Sequence, residues 1–340
     1  MSVSQPLIDR IIRGENLAQD ESATLFESIM TGEVPADAAE RVLRALSDRG
    51  ETVDEIVGAA TVLRRHVTRI PVEFPDAIDT CGTGGDGIST FNVSTAAAIV
   101  AAAAGAKVAK HGNRSYTRKS GSAEVLTELG VDVDASPAVV ARCIREVGIG
   151  FLHAARLHPA MARVAEIRRK IGKPTIFNML GPLTNPAGVR RQIIGVPRDA
   201  WIERVALALS KLGTVHAFVV CGENRLCDFT ITGPSRYAEI RGTQVTMHEI
   251  SPSALNMKFA PLESLLVSSP RESAAAIRAV LNGETGPRRD HTLFNSAAAL
   301  VVAGVAADFA QGLTLATRAI DTGETSRTLV ALANASRTLV

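Results

Sequence analysis

Apolar positions in the first seventy residues recur at helical spacing. Leu7, Ile11 and Ile12 share one face, Leu25, Ile29 and Met30 another, and Val42, Leu43 and Leu46 a third that follows Pro35-Ala36-Asp37. Nothing in this stretch alternates as a half-buried strand would. From Val72 the pattern changes to short apolar runs bounded by glycine and separated by longer helical patterns. The runs predict strands over 77–80 and 107–109, each followed by a helix, over 94–104 and 120–129. The alternation returns as a strand over 192–195, a helix over 199–212, a strand over 217–220 and an alanine-rich helix around 296–311. Strand and helix in turn predict a parallel sheet with helices on its faces. Pro174, Pro182 and Pro186 punctuate the segment between the two α/β stretches, as in a return crossing into the helical part. The fold class expected is α/β, with a small all-helical domain and a large α/β domain built on a mostly parallel central sheet. The small domain is expected over 1–70, joined by about 165–188, and the large one over 71–164 and 189–340.

Composition narrows the function classes. With 340 residues, 46% of them apolar, the chain can bury a sizeable core, and the 4% aromatic content suits alanine-rich helices packed closely on a sheet. A net charge of +2 is negligible at this length, so any anion site must be local and an extended nucleic-acid footprint is not expected. The alanine run from Ala96 to Ala104 meets Gly105, Lys107 and Lys110 too soon to span a bilayer, so it reads as a buried helix and no membrane association is expected. Cys81, Cys143, Cys221 and Cys227 stand singly without CxxC spacing. That argues against a disulfide framework or structural zinc and for a reducing, cytoplasmic setting. Trp201, at a predicted helix start, reads as packing.

Three stretches carry chemistry. Residues 79–95, DTCGTGGDGISTFNVST, hold four glycines within six residues and then Asn92, Ser94 and Thr95 ahead of the alanine run. A strand, a glycine loop and a helix start place backbone N–H groups and a positive helix end at the carboxyl edge of a sheet. The loop is neither a P-loop, since no Gly-Lys-Ser/Thr follows, nor a dinucleotide fingerprint. A bare turn with positive φ at two positions would use the glycines equally well. Ser94 alone suits a helix N-cap, but three polar side chains beside four glycines exceed what a cap needs. In residues 110–130, KHGNRSYTRKSGSAEVLTELG, the groups Lys110, His111, Arg114, Arg118 and Lys119 directly follow the strand over 107–109, at the same sheet edge. A solvated basic loop is the plain alternative; two anion-attracting loops at one edge suggest a ligand with more than one phosphate. In residues 158–186, Met161, Val164, Ile167 and Ile171 form the inward stripe of a helix and put Arg168 on its edge. His158 reads equally as a core or capping histidine, and GPLTNP as a turn cluster of fixed shape.

Together DTCGTGGDG, TFNVSTA, KHGNRS, KSGSAEVLTELGV, HPAM, VAEIRRKIG and TIFNMLGPLTNPA resemble the anthranilate phosphoribosyltransferase family in order and spacing, over roughly 75–190. The resemblance implies transfer of a phosphoribosyl group from 5-phosphoribosyl 1-diphosphate to the amine of anthranilate, with release of diphosphate, as a step of tryptophan biosynthesis. It implies that Gly82, Thr83, Gly84, Gly85, Asp86, Thr90, Asn92, Ser94, Thr95, Lys110 and Ser122 hold the donor. Gly82, Asn113, His158 and Arg168 would hold anthranilate, and His111 and His158 are the candidate proton acceptors, with no obligatory general base. Mg2+ is the implied cofactor, held by Ser94 and by a carboxylate pair later in the chain. A homodimer formed through the helical domain is implied as well.

Two places depart from the family pattern. Where an adjacent Asp-Glu pair is usual, the run NRLCDFTITGP supplies Cys227-Asp228, a soft thiol and a shorter carboxylate, so a weaker second magnesium site is expected. His153, Ala155 and Arg156 in FLHAARLHPAM make the acceptor channel more basic, and Tyr116 and Arg118 replace smaller residues in the basic loop. The alternatives that stay open are a phosphoribosyltransferase or pyrimidine nucleoside phosphorylase relative with another acceptor, or a non-catalytic relative that binds nucleic acid through the loop over 110–119.

Overall fold

The computed structural model describes residues 4–115 and 120–338. Its chain opens with four helices, Ser4–Ile12, Gln19–Thr31, Ala36–Arg49 and Val53–Arg65, the first three where the periodicity puts them. The fourth starts at a reciprocal cap: Glu55 N–H donates to Thr52 Oγ1 at 3.3 Å, and Thr52 N–H donates to Glu55 Oε2 at 2.8 Å. Asp54 and Glu55 in its first turn and Arg64 and Arg65 in its last complement the helix dipole.

Seven strands form one sheet: β1 Ile78–Thr80, β2 Val108–Gly112, β3 Ile149–His153, β4 Arg191–Gly195, β5 His216–Gly222, β6 Ser235–Arg241 and β7 Gln244–Ile250. Their order is β3-β2-β1-β4-β5-β6-β7, parallel from β3 to β5 and antiparallel thereafter. The chain winds outward from β1 to β3, then starts again at β4 on the other side of β1. That reversal opens a crevice outside the carboxyl ends of β1 and β4, the place where open α/β sheets bind ligands.

Two large cores, with a smaller one around Ala109, Ile144 and Leu152, flank the sheet among the described residues. On one face Ile78, Val108 and Ile149 pack with Ile99, Val100 and Leu300 from the Val93–Ala103 and Pro287–Ala303 helices. On the other, Ile194 and Val219 pack with Ile202 and Val205, and this core continues into Leu25, Phe26, Leu43 and Ile56 of the opening helices. The helices Ala162–Ile171 and Ile176–Leu183 belong to that second core through Val164, Ile167, Phe177 and Leu180. Trp201 packs there as expected, 9% exposed, with the Arg198 guanidinium 5.5 Å from its ring.

Several expected boundaries change. The helix expected around 296–311 is two, Pro287–Ala303 and Phe309–Asp321, because Gly304 caps the first at φ 78° and Asp308 caps the second by accepting from Gln311 N–H at 2.8 Å. GPLTNP is not wholly a turn, since Gly181, Pro182 and Leu183 close the Ile176–Leu183 helix. Lys110 and His111 do not follow a strand but lie inside β2, paired with Phe151 and Leu152 of β3.

Candidate active site

The glycine loop leaves β1 at the crevice. Gly84, Gly85 and Gly87 have φ of 65°, 90° and 72°, and no atom lies within 4 Å of where a Cβ would stand on Gly84 or Gly87. Conformation, not crowding, is what demands glycine there. Gly82 and Gly195 are different, since a Cβ on Gly195 would stand 1.7 Å from the Cys227 carbonyl oxygen and one on Gly82 would stand 3.2 Å from the Gly195 carbonyl. Backbone meets backbone at these points, and Thr83 N–H donates to the Gly195 carbonyl at 2.8 Å to pin the loop on the end of β4. The Asp86 carboxylate accepts from Ile88 N–H at 3.2 Å and closes the turn.

The polar helix start is a connected unit. Asn92, not Ser94, is the cap: its Oδ1 accepts from Thr95 N–H at 3.2 Å, Thr95 Oγ1 at 2.5 Å and Ser94 Oγ at 3.3 Å. Thr95 is fully buried and its hydroxyl is spent on that bond, so it shapes the helix start. Thr90 is also buried and lies in an antiparallel bridge to Leu266. Lys110 reaches this unit from β2, with Nζ donating to the Thr80 carbonyl at 3.1 Å and to Ser94 Oγ at 3.3 Å. Burial lowers the Lys110 pKa, while Asp79 acts to raise it. Ser122 Oγ donates to the Asn113 carbonyl at 3.3 Å and sits over Gly112, where a Cβ would stand 2.2 Å from it.

The next residue of β2 points to the other face. His111 meets His158 there, Nε2 to Nε2 at 3.1 Å, and both rings are buried. Burial holds His158 at about 4. Burial first, then the neighbouring His158 and Lys110, hold His111 well below the usual imidazole range. Both rings are therefore neutral at neutral pH, and one N–H donates across the pair. Arg168 lies 5.7 Å from the Phe177 ring, which packs edge-on against Phe26 at 5.9 Å. The Asn113 amide oxygen accepts from Arg114 N–H at 2.8 Å.

The anion cradle and Cys227-Asp228, distant in sequence, come together. Thr80, Gly82, Ser94, Gly195, Cys227 and Asp228 line a cavity of about 10 Å³, room for a single water or small ion. Ser94 Oγ and the Asp228 carboxylate are hard oxygen donors that fit magnesium; the Cys227 thiol, 3.8 Å from the Gly84 carbonyl, is a soft donor that does not.

His153 and Arg156 both lie against Asp134. His153 Nδ1 lies 3.1 Å from Asp134 Oδ1, and Arg156 Nη1 donates to the Asp134 carbonyl at 2.8 Å. Both line a cavity of about 130 Å³ that His111, His158 and Arg168 do not line. Tyr116, Arg118 and Lys119 lie outside the described residues.

The family models for the glycosyl transferase family match this chain twice, the helical bundle domain over residues 5–67 and the a/b domain over residues 74–326. An anthranilate phosphoribosyltransferase of Anaeromyxobacter sp. (strain K) is 47% identical over 330 residues, 96% of this chain and 98% of that protein. The chain belongs to the anthranilate phosphoribosyltransferase family. A solved anthranilate phosphoribosyltransferase from Thermus thermophilus superposes with a TM-score of 0.93 at 38% identity, covering 97% of this chain and 99% of that one. The Saccharomyces cerevisiae anthranilate phosphoribosyltransferase, solved in complex with PRPP and Mg, gives 0.89 at 26% identity and covers 99% of both chains.

Sequence reasoning missed the buried support of this anthranilate phosphoribosyltransferase site. Asp79 is fully buried; Asn185 Nδ2 donates to its Oδ2 at 2.8 Å and His111 N–H to its Oδ1 at 3.0 Å. Burial pushes Asp79 up to about 6, although Lys110, Asn185 and the His111 N–H all pull it down. The available signal was a lone carboxylate inside an apolar strand, with no partner nearby in sequence.

Proposed function

We propose that the protein carries out the reaction for which its family is named, transfer of the phosphoribosyl group of 5-phosphoribosyl 1-diphosphate to the amine of anthranilate, in tryptophan biosynthesis. The observation that carries this reading is the convergence of the glycine loop, Ser94, Lys110 and Asp228 at the carboxyl ends of β1 and β4. In this reading the diphosphate lies against Gly82–Asp86 and the Asn92-capped helix end, where N–H groups and the helix dipole favour an anion. Lys110, held by Thr80 and Ser94, supplies a cation beside it. Bound magnesium would add charge neutralisation for the departing diphosphate, held at the oxygens of Ser94 and Asp228.

Anthranilate enters on the opposite face of β2, with Arg168 for its carboxylate and Asn113 and the His111–His158 pair at its amine. The neutral arylamine is already a nucleophile, so the residues act chiefly by placement, and a neutral imidazole of the pair receives the proton that the amine releases. Thr90, Thr95 and Ser122 shape the donor site through the bonds they make within the fold. The small helical unit over 1–70 and about 165–188, the large one over 71–164 and 189–340, pairing of two chains through the helical unit, and a cytoplasmic setting complete the proposal. No helix is long and apolar enough to cross a membrane among the described residues.

Incubating the protein with anthranilate, the phosphoribosyl donor and magnesium tests the reading through the loss of anthranilate fluorescence. Folded protein that leaves the fluorescence unchanged would refute it. Turnover of another aminobenzoate alone would relocate the specificity.

A further inference from the structure

Three non-glycine positions have positive φ among the described residues, and two of them, Asn224 at 60° and Arg225 at 65°, are consecutive. They directly precede Leu226-Cys227-Asp228. Asparagine tolerates this region because its short amide bonds locally, and here Asn224 Nδ2 donates to Thr232 Oγ1 at 3.3 Å. Arginine has no such device, so a strained arginine beside a substrate site calls for a reason.

The strained turn settles where the side chain goes. Arg225 Nε donates to the Pro197 carbonyl at 3.2 Å, and the Pro197 ring lies 3.9 Å from where a Cβ on Gly85 would stand. The head group is thus carried to the lip of the glycine loop, on an exposed residue, and its terminal nitrogens form no ion pair among the described residues. Of the nearby acids, Asp199 already pairs with Arg236 at 3.2 Å and Asp86 closes the loop's own turn.

We propose that Arg225 binds the diphosphate of the phosphoribosyl donor, supplying from the loop's lip positive charge that a second metal would hold less well at Cys227-Asp228. The guanidinium is permanently charged and matches phosphate oxygens two at a time. It also needs no carboxylate partner, which suits a site that carries a thiol at residue 227. This role rests on the reading that the diphosphate lies in the Gly82–Asp86 loop.

Calorimetric titration of 5-phosphoribosyl 1-diphosphate, inorganic diphosphate and ribose 5-phosphate into wild type, Arg225→Gly and Arg225→Lys, at low and high magnesium, tests it. Arg225→Gly should weaken donor and diphosphate binding about tenfold at low magnesium, as expected for one charge-assisted contact, and leave ribose 5-phosphate unchanged. The deficit should narrow at high magnesium, and Arg225→Lys should recover part of it. Glycine suits a φ of 65°, so the melting temperature of Arg225→Gly should hold or rise, which separates ligand contact from a structural tie. Wild-type affinity for diphosphate in Arg225→Gly at both magnesium levels overturns the role, as does a loss that tracks a fall in melting temperature and is not recovered by lysine. Wild-type protein that does not bind the donor overturns both this role and the reaction on which it rests.

Discussion

Restoring a carboxylate at residue 227 tests how the thiol limits the metal site. Cys227 is 4% exposed, and its Sγ lies 3.8 Å from the Gly84 carbonyl oxygen. In Cys227→Asp a carboxylate faces that carbonyl where the thiol donates, and burying the added charge there costs about 3 kcal/mol. For a chain of this length that is a fall in melting temperature of roughly 4 °C, from an unfolding entropy of ~2 cal/mol/K per residue. Magnesium reverses the sign, because an ion held between the new carboxylate, Asp228 and Ser94 binds only the folded state. At a hundredfold excess over its dissociation constant it returns about 2.7 kcal/mol. Differential scanning fluorimetry with and without magnesium reads both effects. Wild type should respond weakly to magnesium, whereas Cys227→Asp should melt lower without it, recover with it, and need less of it for donor turnover. A variant whose melting temperature ignores magnesium would refute the argument that the thiol is what weakens this site.

The buried support of β1 gives a second expectation. Asn185 bonds to the Asp79 carboxylate at 2.8 Å, to the Ala109 carbonyl at 2.9 Å and to Ala187 N–H at 2.8 Å, so Asn185→Ala should lose about 3–5 kcal/mol in urea unfolding, with a loss below ~1 kcal/mol counting against the network. Acid should destabilise the fold. The pKa values of His158 and His291 are lowered to about 4 and about 3, so each contributes stability present above the unfolded value of 6.5 and lost as pH falls through the folded one. Between pH 7 and 5 each costs about 2 kcal/mol, while Asp79, raised to about 6, returns about 1 kcal/mol by taking up a proton in the folded state. Unfolding free energy at pH 5 equal to that at pH 7 would contradict this balance, and His158→Gln should shrink the difference.

The parts of the fold that were legible are those whose pattern has one cause. The Val93–Ala103 helix is buried nearly all round, so an unbroken run of alanine, isoleucine and valine can only be a core helix. Strand β3 was hidden because IGFLH carries a glycine, and that glycine answers a close approach, since a Cβ there would stand 2.8 Å from the Val140 carbonyl. Strands β6 and β7 were hidden for another reason. They form an antiparallel extension whose outer member is almost wholly exposed and carries Gln244, Thr246, His248 and Glu249, so its composition reads as loop.

The site shows how a three-residue error in a strand boundary conceals mechanism. Ending β2 at residue 109 makes Lys110 and His111 neighbours in one basic loop. Extending it to Gly112 imposes the period of two, which sends Lys110 to Ser94 and His111 to His158, on opposite faces of the sheet. In the proposed reaction that separation has a purpose. Displacement at the sugar carbon requires the amine within about 3–3.5 Å of that carbon, on the side away from the departing diphosphate, so the two substrates would meet beyond the carboxyl end of β2, with its adjacent side chains serving one group from each face. Asp79 then braces the end of β2 by accepting the His111 N–H, while Asn185 bonds both that carboxylate and the Ala109 carbonyl. Lys110 and His111 are thus held in place by hydrogen bonds from segments distant in sequence, which no motif within one segment could disclose.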